Sequence, residues 1–188
     1  MPKNNKLIIG LIGEAGSGKD TVGDYLQKKY KAVHYRYHEP LKEALEIFLG
    51  PGNVSRNDLI WLSNNIRARY GNQIISRALK KRIDRIRNGI VVLNGLRIAE
   101  DVEFVRSLPD SFIFYVTLDQ KKRWERIYGR GERNDDALSF EKFRKYEKAK
   151  TEVQIPKIGK KADFRLKNRG TKEELFAKVD EIIERIRK

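Results

Sequence analysis

Residues 7–29 carry the arrangement that most limits the fold. The apolar run LIIGLI (7–12) leads into the glycine loop GEAGSGKDT (13–21), and a stretch with helical spacing follows. A continuous apolar run ended by glycine reads as a strand covered on both faces. From Gly18 to about Lys29, Val22 and Leu26 stand four residues apart, on one side of a helix. A glycine loop between a buried strand and a helix lets backbone N–H groups converge without side-chain obstruction. The helix start adds partial positive charge, so the junction suits a phosphate. Gly13, Gly18 and Lys19 supply the spacing GxxxxGK, and the lysine adds a full charge. The spacing does not fit the dinucleotide pattern GxGxxG. Ser or Thr usually follows the lysine of such a loop, whereas this chain has Asp20.

The rest of the chain continues the alternation. AVHYRY (32–37), IVVLNG (90–95), SFIFYVTL (111–118) and ADFRLKN (162–168) read as further strands. Pro40 opens the helix LKEALEIFLG at its favoured first position. Residues 56–88 read as helical, with a break at Gly71-Asn72, and 101–108 as another helix. Residues 120–150 are helical and basic, interrupted by GRGERNDD. Thr171 and Glu174 form a capping box ahead of Leu175, Phe176, Val179, Ile182, Ile183 and Ile186, which share one helix face. Strands alternating with helices predict an α/β domain with a mainly parallel sheet and helices on both sides. No repeat or long linker divides residues 1–188, so one domain is expected.

With 39% apolar and 36% charged residues the chain is globular rather than disordered. MPKNNK before LIIGLIG has the basic-then-apolar order of a short signal peptide. No small-residue cleavage site follows, however, and the segment is read as the first strand. No apolar run approaches the ~20 residues needed to span a bilayer. Cysteine is absent, which excludes disulfides and thiolate metal sites and makes the cytoplasm the expected location. The net charge of +15 attracts polyanions, whether nucleic acid or phosphorylated small molecules, and is equally the surface of a heat-tolerant protein.

The loop GxxGSGKDT resembles that of a branch of the P-loop kinases acting on small molecules, which includes deoxynucleoside monophosphate kinases, phosphomevalonate kinases and dephospho-CoA kinase-like proteins. HEPLKEAL (38–45) is similar to that branch's acidic-Pro-Leu-Lys element, and VVLNGLRIAEDVEF (91–104) to its Asp-Gly-Val-Arg element. RWERIYGRGERNDD (123–136) looks like its arginine-rich lid, and NRGTKEEL (168–175) like its base-side loop. The resemblance implies a P-loop three-layer sandwich with a helical acceptor-side insert at about 55–88 and a lid at about 120–137. It implies ATP and Mg²⁺ as cofactors.

On that resemblance the donor nucleotide would lie on Gly13, Ala15, Gly16, Ser17, Gly18, Lys19, Asp20 and Thr21, with Arg126, Asn168 and Gly170 toward its far end. In P-loop proteins a hydroxyl after the lysine and a strand-end Asp serve Mg²⁺. This chain carries Asp20 at the first position and Asn94 at the second, so Asp20 is expected to supply the charge for the metal that Asn94 cannot. Arg123, Arg126, Arg130 and Arg133, spaced by three, four and three, would put positive charge around the migrating phosphoryl group; Arg126 and Arg130 are the main candidates. Arg97, just past a strand end, is assigned to the acceptor's phosphate. Glu39 is assigned to orienting the acceptor or taking its proton, and Arg67 and Arg69 on the insert to lining the acceptor pocket. His34 and His38 lack companion ligands and read as structural, while Trp61 and Trp124 read as packing residues.

The expected activity is therefore phosphoryl transfer from ATP to a phosphate-bearing small molecule, with a nucleoside or deoxynucleoside monophosphate as the leading acceptor. Dephospho-CoA is the nearest alternative within that class. A nucleic-acid-binding or regulatory P-loop NTPase is the alternative from another class. The basic run RALKKRIDRIR (77–87) favours nucleic acid, and the lack of a recognisable RNA-binding element opposes it.

Overall fold

The computed structural model describes residues 6–128, 139–148 and 152–187. Five strands, β1 (Lys6–Ile12), β2 (Val33–Arg36), β3 (Gly89–Asn94), β4 (Ser111–Thr117) and β5 (Phe164–Lys167), form one sheet in the order β2-β3-β1-β4-β5. Every pairing in it is parallel.

Because side chains alternate across a strand, each central strand supplies both layers. Ile8 and Ile12 of β1, Val91 and Leu93 of β3, and Ile113 and Tyr115 of β4 face one core. Ile9 and Leu11, Ile90 and Val92, and Phe114 and Val116 face the other. The continuous apolar run LIIGLI is explained by this double coverage. Each such side chain, when fully buried, contributes about 1.5–3 kcal/mol.

Helices α1 (Lys19–Tyr30) and α9 (Lys172–Arg187) complete one layer through Val22, Leu26, Leu175, Val179 and Ile183. Phe176, read as part of that apolar face, stacks on Tyr25 of α1 with ring centroids 3.9 Å apart. Thr171 caps α9, its hydroxyl accepting from the Glu174 N–H at 3.2 Å. Helices α2 (Glu39–Leu49), α3 (Arg56–Tyr70), α4 (Ile74–Ile83) and α5 (Ala99–Arg106) pack on the opposite face. Ser55 and Asp58 close a capping box at the start of α3, and the chain breaks after it at Gly71, where φ is +89°.

Helix α4 stops at Ile83 rather than running on to residue 88. Its end is capped by Lys6, whose ammonium is buried and donates to the carbonyls of Ile83 at 3.0 Å and Ile86 at 3.2 Å. A cation at a helix C-terminus satisfies carbonyls that have no partner within the helix and meets the negative end of its dipole.

Helices α6 (Gln120–Tyr128) and α7 (Phe140–Tyr146) are joined through Trp124, whose ring lies 5.5 Å from that of Phe140. Arg130, Arg133, Asp135 and Asp136, assigned to the lid, lie outside the described residues. A short helix α8 (Ile155–Gly159) was not legible in the sequence, being a single buried turn opened by a proline. Trp61, expected to pack, is instead 63% exposed. No helix among the described residues is long and apolar enough to cross a membrane.

Candidate active site

The parallel register brings the carboxyl ends of β1, β2 and β3 level: Leu11 stands opposite Asn94, and Asn94 opposite Arg36. The strand order reverses around β1, so the loop leaving β1 opens at the crevice where open α/β sheets bind ligands.

Three glycines of that loop have no room for a side chain. A Cβ on Gly13 would lie 2.5 Å from Ser17 Oγ and 2.7 Å from the Val116 carbonyl. On Gly16 it would lie 2.6 Å from the Arg123 carbonyl, and on Gly18, at φ +96°, 2.3 Å from Asn168 Nδ2.

The loop is also held from behind. Asn168, nearly buried at the end of β5, donates its amide to the Ser17 carbonyl at 2.8 Å. Arg123 of α6, 5% exposed, donates to the Ala15 carbonyl at 3.1 Å and to the Leu118 carbonyl at 3.0 Å, and pairs with Glu147. In a trans peptide the N–H of the next residue points opposite to the carbonyl. Pinning the carbonyls of Ala15 and Ser17 therefore turns the N–H groups of Gly16 and Gly18 to the other side. The Ser17 hydroxyl is fully buried and has no hydrogen-bond partner among the described residues.

Lys19 and Asp20 open α1 with Nζ and Oδ2 3.2 Å apart. Burial lowers the Lys19 pKa and Asp20 partly offsets it; the charges of Arg97 and Arg56 push in the same direction as burial. Asn94, 1% exposed at the end of β3, donates its amide to Asp20 Oδ1 at 2.7 Å. Burial acts to raise the Asp20 pKa but is outweighed by Lys19 and by the Asn94 hydrogen bond, so the carboxyl stays well below the usual range. The apparent mismatch in the sequence is thus a complementary pair: the amide supplies the hydrogen that the loop carboxylate accepts. Thr21 follows, half-buried in the first turn of the helix.

On the β2–β3 side, Glu39 opens α2 three residues beyond Arg36, and its Oε2 is buried with no hydrogen-bond partner among the described residues. Arg97 lies three residues past β3 and pairs with Glu152, which is 6% exposed. Arg56, at the start of α3, approaches the same carboxylate at 3.6 Å and stacks its guanidinium 4.3 Å over the Tyr146 ring. The Tyr146 hydroxyl donates to Glu152 at 3.2 Å. Burial together with Arg97, Arg36 and Lys19 drives the His38 pKa down to about 4, leaving a neutral imidazole beside a strongly positive crevice. His34 is structural as read: its ring fills the space that a side chain on Gly23 would need, and its Nδ1 faces Asp24 at 3.4 Å.

Two assigned residues also make internal contacts. Arg67 donates to Asp101 at 2.9 Å and to the Asn72 carbonyl, while Asp101 also accepts from the backbone N–H groups of Arg97 at 3.1 Å and Ile98 at 3.4 Å. Arg67 thereby braces the turn that carries Arg97. Arg126, assigned to the lid, donates to the Asn168 carbonyl at 3.2 Å and so joins the loop before α9. Gly170 stands in that loop, where a Cβ would collide with the Glu174 carboxylate. Sequence reasoning missed Arg56, Glu152 and the bracing function of Arg123. Only for Arg123 was there a signal, its place in the arginine series.

Comparisons with known proteins bear on the fold. A family model described as deoxynucleotide monophosphate kinase matches residues 6–67, which hold the loop, the crevice edge at Glu39 and most of α3. A UPF0200 protein of Sulfurisphaera tokodaii is 27% identical over 95% of this chain and 97% of its own length. Its counterpart from Thermococcus kodakarensis is 25% identical over 96% and 98%. Among solved structures, TT1252 from Thermus thermophilus superposes with a TM-score of 0.66 at 21% identity, covering 96% of this chain and 98% of that one. The shikimate kinase of Aquifex aeolicus gives 0.57 at 18%, covering 95% and 96%. By loop, sheet order and these likenesses, the chain has the P-loop kinase fold, and its residues 6–67 resemble the deoxynucleotide monophosphate kinase family.

Proposed function

We propose that the protein transfers the γ-phosphoryl group of ATP to a small molecule that already bears a phosphate, with nucleoside and deoxynucleoside monophosphates as the acceptor class. The observation that carries the reading is the braced nest between β1 and α1, with Lys19 at its rim and the Asp20–Asn94 pair beside it.

The residues present fit ATP with Mg²⁺. Glycines 13, 16 and 18 leave a cradle that any Cβ would disturb, and the Ser17 hydroxyl is buried without a partner among the described residues. Asp20 is ionised and would hold the cation. Mg²⁺ takes one or two carboxylates and completes its shell with phosphate oxygens and water. Bound with the nucleotide, Mg²⁺ would supply neutralisation of the phosphate charge.

The protein groups supply the rest. The N–H groups of Gly16 and Gly18 and the Lys19 ammonium orient the triphosphate tail, and their fixed positive charge favours the charge that spreads over the transferring group. Arg126 extends that charge from the α9 side. Arg97 receives the acceptor's anionic group. A phosphate acceptor attacks through an oxygen already ionised near neutral pH and needs no base, so Glu39 orients it. The Glu39 oxygen, buried and unpartnered among the described residues, favours a second reading, a hydroxyl acceptor as in dephospho-CoA kinase-like activity, where Glu39 would take the proton.

A coupled assay across nucleoside monophosphates, deoxynucleoside monophosphates, dephospho-CoA and RNA ends, with Lys19→Ala as control, tests the proposal. Turnover on a monophosphate that the variant loses is expected. Turnover no greater than the variant's on every acceptor overturns it. Glu39→Gln separates the two readings: with a phosphate acceptor the rate keeps its pH profile, and with a hydroxyl acceptor the basic dependence disappears.

A further inference from the structure

Lys19 of the loop feels the charges of Arg97, three residues past the end of β3, and of Arg56, at the start of α3. Arginines from two separate elements repel one another unless an anion lies between them. Here that anion is internal. Glu152 is 6% exposed, pairs with Arg97, faces Arg56 at 3.6 Å and accepts the Tyr146 hydroxyl at 3.2 Å. The arginines themselves stay partly open, with side chains 38% and 29% exposed for Arg97 and Arg56. The carboxylate is therefore the buried member and the guanidinium groups are the more exposed members.

Each arginine is also held from its other side. Arg56 lies flat on Tyr146 at 4.3 Å, and the backbone of Arg97 is tied to Asp101, itself gripped by Arg67. A planar guanidinium fixed in this way presents its N–H groups as a fork, which matches the oxygens of a phosphate better than a mobile charge does.

We propose that Glu152 is a positioning residue that joins Arg97 and Arg56 into one anion-binding fork facing the Lys19 loop, and that this fork selects acceptors carrying a phosphate group. The inference rests on the phosphoryl-transfer reading above and assigns its acceptor specificity. Removing the carboxylate leaves the net local charge more positive, which by itself attracts phosphate. The loss of the shared counter-ion lets the two arginines separate, and an acceptor must then reorganise both. Crevice charges that remain, Lys19 and Arg36 among them, already supply the unspecific attraction, so the geometric loss dominates.

The test is calorimetric titration of AMP, CMP, GMP and dTMP, and of the matching nucleosides, into protein loaded with a non-hydrolysable ATP analogue. Wild-type protein is expected to bind at least one monophosphate and to bind its nucleoside much more weakly. Glu152→Gln is expected to weaken monophosphate binding about tenfold or more and to leave analogue affinity and nucleoside binding unchanged. Glu152→Asp should recover part of the loss. Tyr146→Phe, which removes only the hydroxyl on Glu152, should weaken it in the same direction by less.

A role limited to stability would lower the melting temperature and weaken analogue and monophosphate together, which overturns the proposal. So does unchanged or tighter monophosphate binding in Glu152→Gln; tighter binding would make the carboxylate a competitor of the phosphate. Analogue binding without any monophosphate binding refutes the fork and leaves the donor site standing. Failure to bind the analogue removes the phosphoryl-transfer reading and the fork with it.

Discussion

Replacing Asn94 by Asp tests the carboxylate–amide pair at the heart of the site. The substitution restores the residue that the resembled family carries at this strand end, but it sets a second carboxylate against Asp20. Asn94 Nδ2 now stands 2.7 Å from Asp20 Oδ1, so the new oxygen would meet the old one at about the same separation. Two unit charges about 3 Å apart in an effective dielectric of ~20 repel by ~5 kcal/mol. The Asp20 side chain is 45% exposed, and solvent screening lowers the net penalty to about 1–3 kcal/mol.

For a domain of this size that lowers the melting temperature by about 3–10 °C in EDTA at pH 8. Mg²⁺ between the two carboxylates should restore most of the loss without any nucleotide, whereas wild-type protein should gain little from Mg²⁺ alone. The pH dependences have opposite signs. In the wild type the Asp20 pKa is depressed, so its contribution is present above its ordinary value of 3.8 and is lost as pH falls below it. In the variant one carboxyl of the pair is raised, so the penalty is absent in acid and grows as pH rises through that raised value. Thermal melts at pH 2.5, 4, 6 and 8, with and without Mg²⁺, read both effects. A stability gap that ignores pH and Mg²⁺, or no gap, would refute the pairing.

Three further outcomes follow from the same contacts. Arg123→Ala strips the brace from the Ala15 carbonyl and leaves the mostly buried Glu147 without its guanidinium; stability should fall by about 3–5 kcal/mol and ATP-analogue affinity with it, and unchanged affinity would show that the brace does not shape the nest. Gly18→Ala forces a Cβ to within 2.3 Å of Asn168 Nδ2 at φ +96°, which should cost about 1–3 kcal/mol in a denaturant melt and displace the loop, visible as lost analogue binding. Lys6→Met removes the donor that caps the end of α4 and should lower stability by about 1–3 kcal/mol in urea unfolding while analogue affinity stays as in the wild type.

The sheet and the phosphate nest were legible because their causes are local. A strand covered on both faces must be apolar at every position, and LIIGLI is. A loop whose backbone approaches phosphate must carry glycine at fixed spacing, and Gly13 and Gly18 do. Helix limits set by neighbours in sequence were legible too: the start of α3 at Arg56, Gly71 after it, Thr171 before α9. Ends capped from a distance were not. The end of α4 is capped by Lys6, 77 residues away in sequence at Ile83, and a lysine next to a strand gives no sign of which carbonyls it will cap.

The same division runs through the site. Lys19, Asp20 and the glycines announce themselves, since a nest for phosphate uses residues contiguous in the chain. That Asn94 donates to Asp20 follows only from the parallel register that sets β3 beside β1. That Arg67 braces a turn follows from where Asp101 comes to rest. Arg56 and Glu152 belong to no motif and meet because α3 and the segment before α8 fold over the same strand ends. The sequence alone determined which loop can grip a phosphate; tertiary structure decided which distant charges face it, because electrostatic partners are chosen by proximity in space and leave no periodic trace along the chain.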